Sequence, residues 1–256
     1  VHNQKITSCL KKFENKIGLI IHSGNLKITD HKGHNIFLTS EAMSRYLKAF
    51  PSNKGQNIVI PHGFSNNRLK NLEGDTKSRK LKIIVAGRYI KKKGFEDIIK
   101  AASMLERKNV DIKIKIYGEG PLKEKFKKLI KDLKLKSVSL CSWTTNLNQA
   151  FEKSDVLCVP SHIEPFGLVM GEAMIHGLPI ISTDTDGGKE ILGKNPEKNG
   201  GIIVDSGSPA QLMNAIIRMH DVKLRNKLKK NGVKNINKNF SHKVLSKNLK
   251  RLFKKK

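Results

Sequence analysis

The sequence predicts an α/β fold: a doubly wound parallel sheet preceded by a smaller, incomplete second α/β segment. Three observations carry this expectation. From about Leu81 onward, short β-rich runs alternate with amphipathic stretches at helical spacing. That strand–helix–strand rhythm is the signature of right-handed βαβ units whose sheet is covered on both faces. At 256 residues and 38% hydrophobic content, the chain can bury a substantial core. It contains no apolar run of about 18 residues that would compete as a membrane-spanning helix.

Taken in order, Ile17 to Ile21 and Asn35 to Leu38 read as strands, Glu41 to Phe50 as a helix and Ile58 to Ile60 as a further short strand. These pieces are too few to close a core, and residues 1–57 are expected to be the end of another α/β domain. The strands of the main sheet are Ile83 to Ala86, Ile112 to Ile116, Val138 to Leu140, Val156 to Val159, Pro179 to Ser182 and Ile202 to Val204. Phe95, Ile98, Ile99, Ala102 and Leu105 mark one intervening helix; Leu122, Phe126, Leu129, Ile130 and Leu133 mark the next. This Rossmann-like domain is expected over 58–240. Its ligands belong beyond the carboxyl ends of the strands, in the loops after Ala86, Ile116, Leu140, Val159 and Ser182. Residues 241–256 form a basic amphipathic helix with Val244, Leu245, Leu249, Leu252 and Phe253 on one face. It either packs on the core or rests on anionic lipid.

Fifty Lys and Arg oppose 22 Asp and Glu, giving a formal net charge of +28. Nucleic acid, an anionic membrane surface and plain lysine-rich decoration of a solvated surface all fit that excess. Only 8 of the cations are Arg, the residue suited to bidentate readout, so no specific nucleic-acid recognition is expected. From Lys223 to Lys256 there are 14 cations and no acid. Cys9, Cys141 and Cys158 are too few and scattered for a disulfide framework or a zinc site, and point to a reducing, cytoplasmic setting. Val1-His2-Asn3 does not open a secretory leader.

The densest chemistry lies in Ser161 to Met174, directly after a strand. Pro165 fits the first position of a helix. The N–H groups of Phe166, Gly167 and Leu168 are then free in the first turn, and Gly167 lets a phosphate approach the backbone. Glu164 precedes the helix and Glu172 lies about two turns inside it, too far apart to share a proton but able to bracket one ligand. A helix cap plus a surface glutamate is the bland alternative. Gly87-Arg88 through Lys93-Gly94 follows the first main strand. One forked and one point-like cation at a helix mouth make a pyrophosphate clamp. Gly118-Glu119-Gly120-Pro121 lacks the third glycine of a dinucleotide fingerprint. Asp184-Thr185-Asp186 has the look of a metal-binding pair but sits where acidic turn residues are common. His162, His176 and His220 show no ligand spacing and read as ordinary loop or surface residues.

Taken together, Val59 to Phe64, Gly87-Arg88 through Phe95, Tyr117 to Leu122, Pro160-Ser161, Glu164 to Leu168, Glu172-Ala173-Met174, Gly177-Leu178-Pro179 and Gly187-Gly188 with Glu190 form an ordered series. It resembles the group 1 (family 4) retaining glycosyltransferases of the GT-B fold over about residues 58–245. The resemblance implies transfer of a hexose from a UDP- or GDP-sugar to a cell-envelope glycan or lipid-linked acceptor, such as a lipopolysaccharide core, with no metal or other cofactor. It implies that Glu164 contacts the donor sugar and that Glu172 holds the ribose. Arg88 and Lys93, beside Gly87, stabilise the departing diphosphate, Phe166, Gly167 and Leu168 supply backbone donors, and Trp143 lies near the base. His2 falls near a strand end where the family often carries a functional His. The family's amino-terminal acceptor domain is longer than residues 1–57, so the resemblance also implies a complementing amino-terminal chain or a longer polypeptide. A donor-binding fragment without turnover, and a basic nucleic-acid-binding protein, are the competing readings.

Overall fold

A computed structural model describes residues 18–21, 34–65 and 80–254. In chain order these are β1 (Gly18–Ile21), β2 (His34–Phe37), α1 (Ser40–Ala49), β3 (Asn57–Val59), β4 (Leu81–Ala86), a 3-10 turn (Lys91–Lys93), α2 (Phe95–Arg107), β5 (Ile112–Tyr117), α3 (Lys123–Asp132), β6 (Val138–Cys141), α4 (Asn148–Glu152), β7 (Val156–Val159), α5 (Leu168–Ile175), β8 (Ile180–Thr183), α6 (Asp186–Leu192), a second 3-10 turn (Pro196–Asn199), β9 (Gly201–Val204), α7 (Pro209–Arg218), α8 (Val222–Asn239) and α9 (His242–Lys254). They fall into two compact units: Val1–Gly63 with Phe240–Lys256, and Phe64–Asn239.

The larger unit is the doubly wound α/β domain expected from the alternation. Its six strands are all parallel, in the order β6-β5-β4-β7-β8-β9. β7 and β8 are buried at every position, which is why Val156 to Val159 and Ile180 to Thr183 read as unbroken β-rich runs. β5 alternates, burying Ile112, Ile114 and Ile116 while exposing Lys113. Helix α2 lays Ile98, Ile99, Ala102 and Leu105 onto the sheet, all of them fully buried. Tyr89 sits within this core, donating its hydroxyl to the carbonyls of Ile116 (2.8 Å) and Cys141 (3.0 Å). Burial pushes its pKa up to about 12.

Strand order decides where a ligand belongs. The chain winds outward from β4 through β5 to β6, then returns to β7 beside β4 and winds the other way. The crevice outside the carboxyl ends of β4 and β7 is therefore the topological switch point, where open α/β sheets bind ligands.

The smaller unit carries a three-stranded parallel sheet, β1-β2-β3. Thr39 caps α1 by accepting from the Ala42 N–H at 3.2 Å. Tyr46 on that helix packs on Phe37, ring centroids 5.2 Å apart. Ile36 and Ile60 form a second small cluster with Ile58, Leu245 and Leu249. Of the two settings open for the terminal helix, the described residues show protein packing at two positions: Leu245 and Leu249 of α9 lie against Ile36 and Ile60. Among the described residues no helix is long and apolar enough to cross a membrane.

Candidate functional site

The loops that follow β4 and β7 meet at the switch point, and their backbones lock together there. His162 and Ile163 both donate their N–H groups to the Lys92 carbonyl, at 2.8 and 3.2 Å. Across this junction the Lys93 ammonium lies 2.6 Å from a Glu164 carboxylate oxygen, and the Ser161 hydroxyl donates to the same oxygen at 3.3 Å. The pair is well shielded, with side-chain exposures of 20% for Lys93 and 8% for Glu164. A buried carboxylate needs such a partner, because desolvating it alone costs on the order of several kcal/mol.

Gly87, at the end of β4, faces the Lys93 side chain, and Gly167 packs on the Glu164 methylenes. Gly87, Lys93, Glu164 and Gly167 are thus brought together. Arg88 leaves the same loop as Lys93 but is exposed, and its guanidinium has no partner among the described residues. Phe166 is buried and stacks on Phe64 at 6.2 Å, so its side chain is packing and its backbone is what it can offer a ligand. Trp143 stands apart, two strands from β4 at the carboxyl edge of β6, with 55% of its surface exposed. His2 lies outside the described residues.

One expectation needs correction. The helix does not begin at Pro165: α5 starts at Leu168, with Gly167 as its left-handed cap (φ 83°). A helix starting at Pro165 would send the Leu168 N–H to the Glu164 carbonyl. That carbonyl is already taken by the Gly187 N–H at 2.9 Å. The free first-turn donors therefore belong to Leu168 and Val169, with Phe166 and Gly167 ahead of the helix. Glu172 then lies in the second turn of α5. It is solvent-exposed, and the desolvation it does suffer raises its pKa above the ordinary carboxylate value, with His176 one turn on pulling it down.

Two other motifs acquire roles that spacing did not reveal. Gly118 and Gly120 let the loop after β5 close on the loop after β4. A Cβ on Gly118 would stand 1.9 Å from the Gly87 carbonyl oxygen. Tyr89 N–H donates to the Glu119 carbonyl at 2.8 Å in the same junction. Asp184 accepts from the Ser206 N–H at 3.0 Å, tying the loop after β8 to the loop after β9. Among the described residues no group of three or more His, Cys, Asp and Glu side chains could hold a metal ion. His162, read from sequence as an ordinary loop residue, instead binds Asp97 through Nε2 at 2.5 Å.

With this geometry in view, the likenesses to known proteins can be weighed. A family model described as glycosyl transferases group 1 matches residues 68–235. An uncharacterized glycosyltransferase of Haemophilus influenzae is 30% identical over 164 residues, which are 63% of this chain and 45% of that protein. The lipopolysaccharide core biosynthesis glycosyltransferase LpsD of Rhizobium meliloti is 28% identical over 166 residues, 64% of this chain and 46% of its own. Among solved structures, a mutant of S. aureus TarM in complex with Fondaparinux, alpha-GlcNAc-glycerol and UDP superposes with a TM-score of 0.76 at 22% identity. It covers 86% of this chain and 43% of that one, a likeness of fold. The chain spans less than half the length of these two curated relatives.

Proposed function

The chain belongs to the glycosyl transferases of group 1, and from that premise we propose that residues 64–239 bind a nucleoside-diphosphate hexose, UDP- or GDP-linked, for transfer to a cell-envelope glycan or lipid-linked acceptor. The observation that carries this reading is the Lys93–Glu164 pair at the β4/β7 switch point, a cation and a carboxylate shielded side by side where a ligand is expected. The R. meliloti relative supports a core-glycan acceptor, and the UDP bound by TarM supports a uridine donor.

The roles follow from the chemistry of each group. An ammonium has three donors, and Glu164 engages one of them, leaving Lys93 two for the diphosphate. The unpartnered Arg88 fork binds the same phosphates in bidentate fashion. Free N–H groups at Leu168 and Val169 add the positive end of α5. Charge building on the leaving diphosphate is thereby met by fixed cations and dipoles, which do the work a metal ion does elsewhere, and no metal is invoked. Glu164 meets the hexose, where its negative charge favours the cationic character that the sugar gains as the bond to the diphosphate stretches. Such departure and attack on one face would retain the anomeric configuration. Glu172 accepts from the ribose hydroxyls. Acceptor capture is assigned to an amino-terminal domain, which a complementing chain can supply.

Titration calorimetry with UDP, GDP and their hexose conjugates tests the donor assignment. Binding in the micromolar range, about −8 kcal/mol, is expected for one nucleotide series. No heat with either series overturns the reading. Because an ionised carboxylate accepts from ribose hydroxyls more strongly than a neutral carboxyl, affinity should fall as pH drops through the raised pKa of Glu172. In Glu172→Gln that step should vanish and affinity should be low throughout.

Charge distribution supports a peripheral contact with an anionic membrane surface, on the cytoplasmic side. Lys223, Lys227, Lys230, Lys234 and Lys238 are exposed along one stripe of α8, a helix without any acid. Of these five only Lys227 has an ion-pair partner among the described residues, Glu197 at 3.5 Å, whereas Lys123, Lys125 and Lys127 of α3 pair with Glu119, Glu96 and Glu124 at 2.8, 2.7 and 2.8 Å. Each lysine near an anionic leaflet contributes about 1 kcal/mol, so five suffice for reversible adsorption. Co-sedimentation with anionic vesicles should be lost on changing these five lysines to Gln, and retained when five lysines outside α8 are changed. Equal loss in both sets would reject the stripe.

A further inference from the structure

Two side-chain links cross the junction between the β4 and β7 loops, and they run in opposite senses. In one, a base from the β4 side, Lys93, meets an acid from the β7 side, Glu164. In the other, an acid from the β4 side, Asp97, meets a base from the β7 side, His162. Asp97 lies in the first turn of α2, its side chain 11% exposed, and its N–H returns to the Gly94 carbonyl at 3.0 Å. An ionised carboxylate only accepts, so the 2.5 Å contact puts a proton on His162 Nε2.

On one side the β7 loop is held by its own sheet neighbour, through the Gly187 N–H on the Glu164 carbonyl (2.9 Å) and the Thr183 hydroxyl on the Ser161 carbonyl. Toward the β4 loop the backbone gives one point of attachment, the Lys92 carbonyl, on which the His162 and Ile163 N–H groups converge. Pro160 against Gly94 adds a second point and Asp97 against His162 a third. These contacts set how the loop faces the β4 loop, and Glu164 is carried on it, two residues after His162.

We propose that Asp97 and His162 are a positioning pair for the donor site. They orient the β7 loop so that the Glu164 carboxylate and Lys93 ammonium meet where hexose and diphosphate join. This rests on the donor-binding reading above. Neither residue is assigned contact with the ligand; both act through Lys93 and Glu164.

The test compares nucleoside monophosphates with diphosphates by calorimetry, using UMP with UDP and GMP with GDP. A monophosphate reports the base and ribose contacts, while the added phosphate reports the Lys93 side of the site. In His162→Ala, diphosphate affinity should fall about tenfold and monophosphate affinity should hold within about threefold, a selective loss of coupling of the size typical for neighbouring groups. His162→Gln, which keeps an N–H in reach of Asp97, should recover most of it. Lys93→Ala should show the same selective loss, and adding His162→Ala to it should cost nothing further. Parallel loss of both affinities, unchanged affinities, or additivity in the double variant would each overturn the proposal. Should His162→Ala lack a cooperative thermal transition, the comparison is read on Asp97→Asn, expected to lose diphosphate affinity selectively. If the unmodified protein binds none of the four nucleotides, the donor reading itself fails, which is a different result from any of these.

Discussion

Replacing Lys93 with alanine is expected to lower nucleotide-sugar turnover about 10²- to 10³-fold, the cost of losing one preorganised donor to a developing anion. The same change should destabilise the fold, and the two effects can be separated. Removing Lys93 leaves the Glu164 carboxylate, 8% exposed, with only the Ser161 hydroxyl at 3.3 Å. Stranding a charge that deep costs up to about 3 kcal/mol. Glu164→Gln should cost less, about 1 kcal/mol, because the flexible Lys93 stem can carry its charge to water. The double variant Lys93→Ala, Glu164→Gln should therefore regain most of the stability lost in Lys93→Ala and none of the turnover. Urea midpoints and a donor-turnover assay measured on the same three variants decide it. A double variant that recovers both would make the pair a structural contact without a part in leaving-group departure.

The elements of the fold were legible because each is a local pattern. Val156 to Val159 is β-rich without interruption, and the structure buries all four positions. Ile98, Ile99, Ala102 and Leu105 recur at helical spacing, and all four are fully buried. Strand order is another matter. Periodicity in Ile83 to Ala86 says that a strand exists, but not that β7, some seventy residues on, will be its neighbour. The expectation of five candidate loops became two at one switch point only when that order was known. The same distance hid the His162 contact, whose partner Asp97 is 65 residues away and in no recognisable spacing with it. Pro165 shows the opposite case. Its local preference favours a helix start, but the helix begins at Leu168, because the competing claim on the Glu164 carbonyl comes from Gly187, in a different βα connection. Gly118 and Gly120 lack the third glycine of a dinucleotide fingerprint, and what they permit instead is the close approach of one loop to another, which no local pattern encodes.

Gly94 offers the largest expected effect on stability, and the chain contains its own control. Gly94 adopts φ 64°, and a Cβ there would stand 1.9 Å from the Pro160 carbonyl oxygen and 2.9 Å from its carbon. Gly207 has a similar φ of 74° with nothing within 4 Å of the same position. Gly207→Ala therefore measures the left-handed backbone penalty alone, about 1 kcal/mol. Gly94→Ala adds a collision with backbone atoms that no rotamer can relieve, and should cost about 4 kcal/mol in total, among the most damaging single changes. Chemical denaturation of the two variants in parallel gives the difference directly. The collision can be relaxed only by lifting the β7 loop from the β4 loop, which is also the movement that parts Lys93 from Glu164. Any Gly94→Ala protein that remains folded should therefore bind nucleoside diphosphate at least about tenfold more weakly, a loss of about 1.4 kcal/mol, while Gly207→Ala binds as the parent does. Equal stability losses in the two variants would mean that the loops do not meet at Gly94. The shielded cation–carboxylate pair, which depends on that meeting, would then lose its structural foundation.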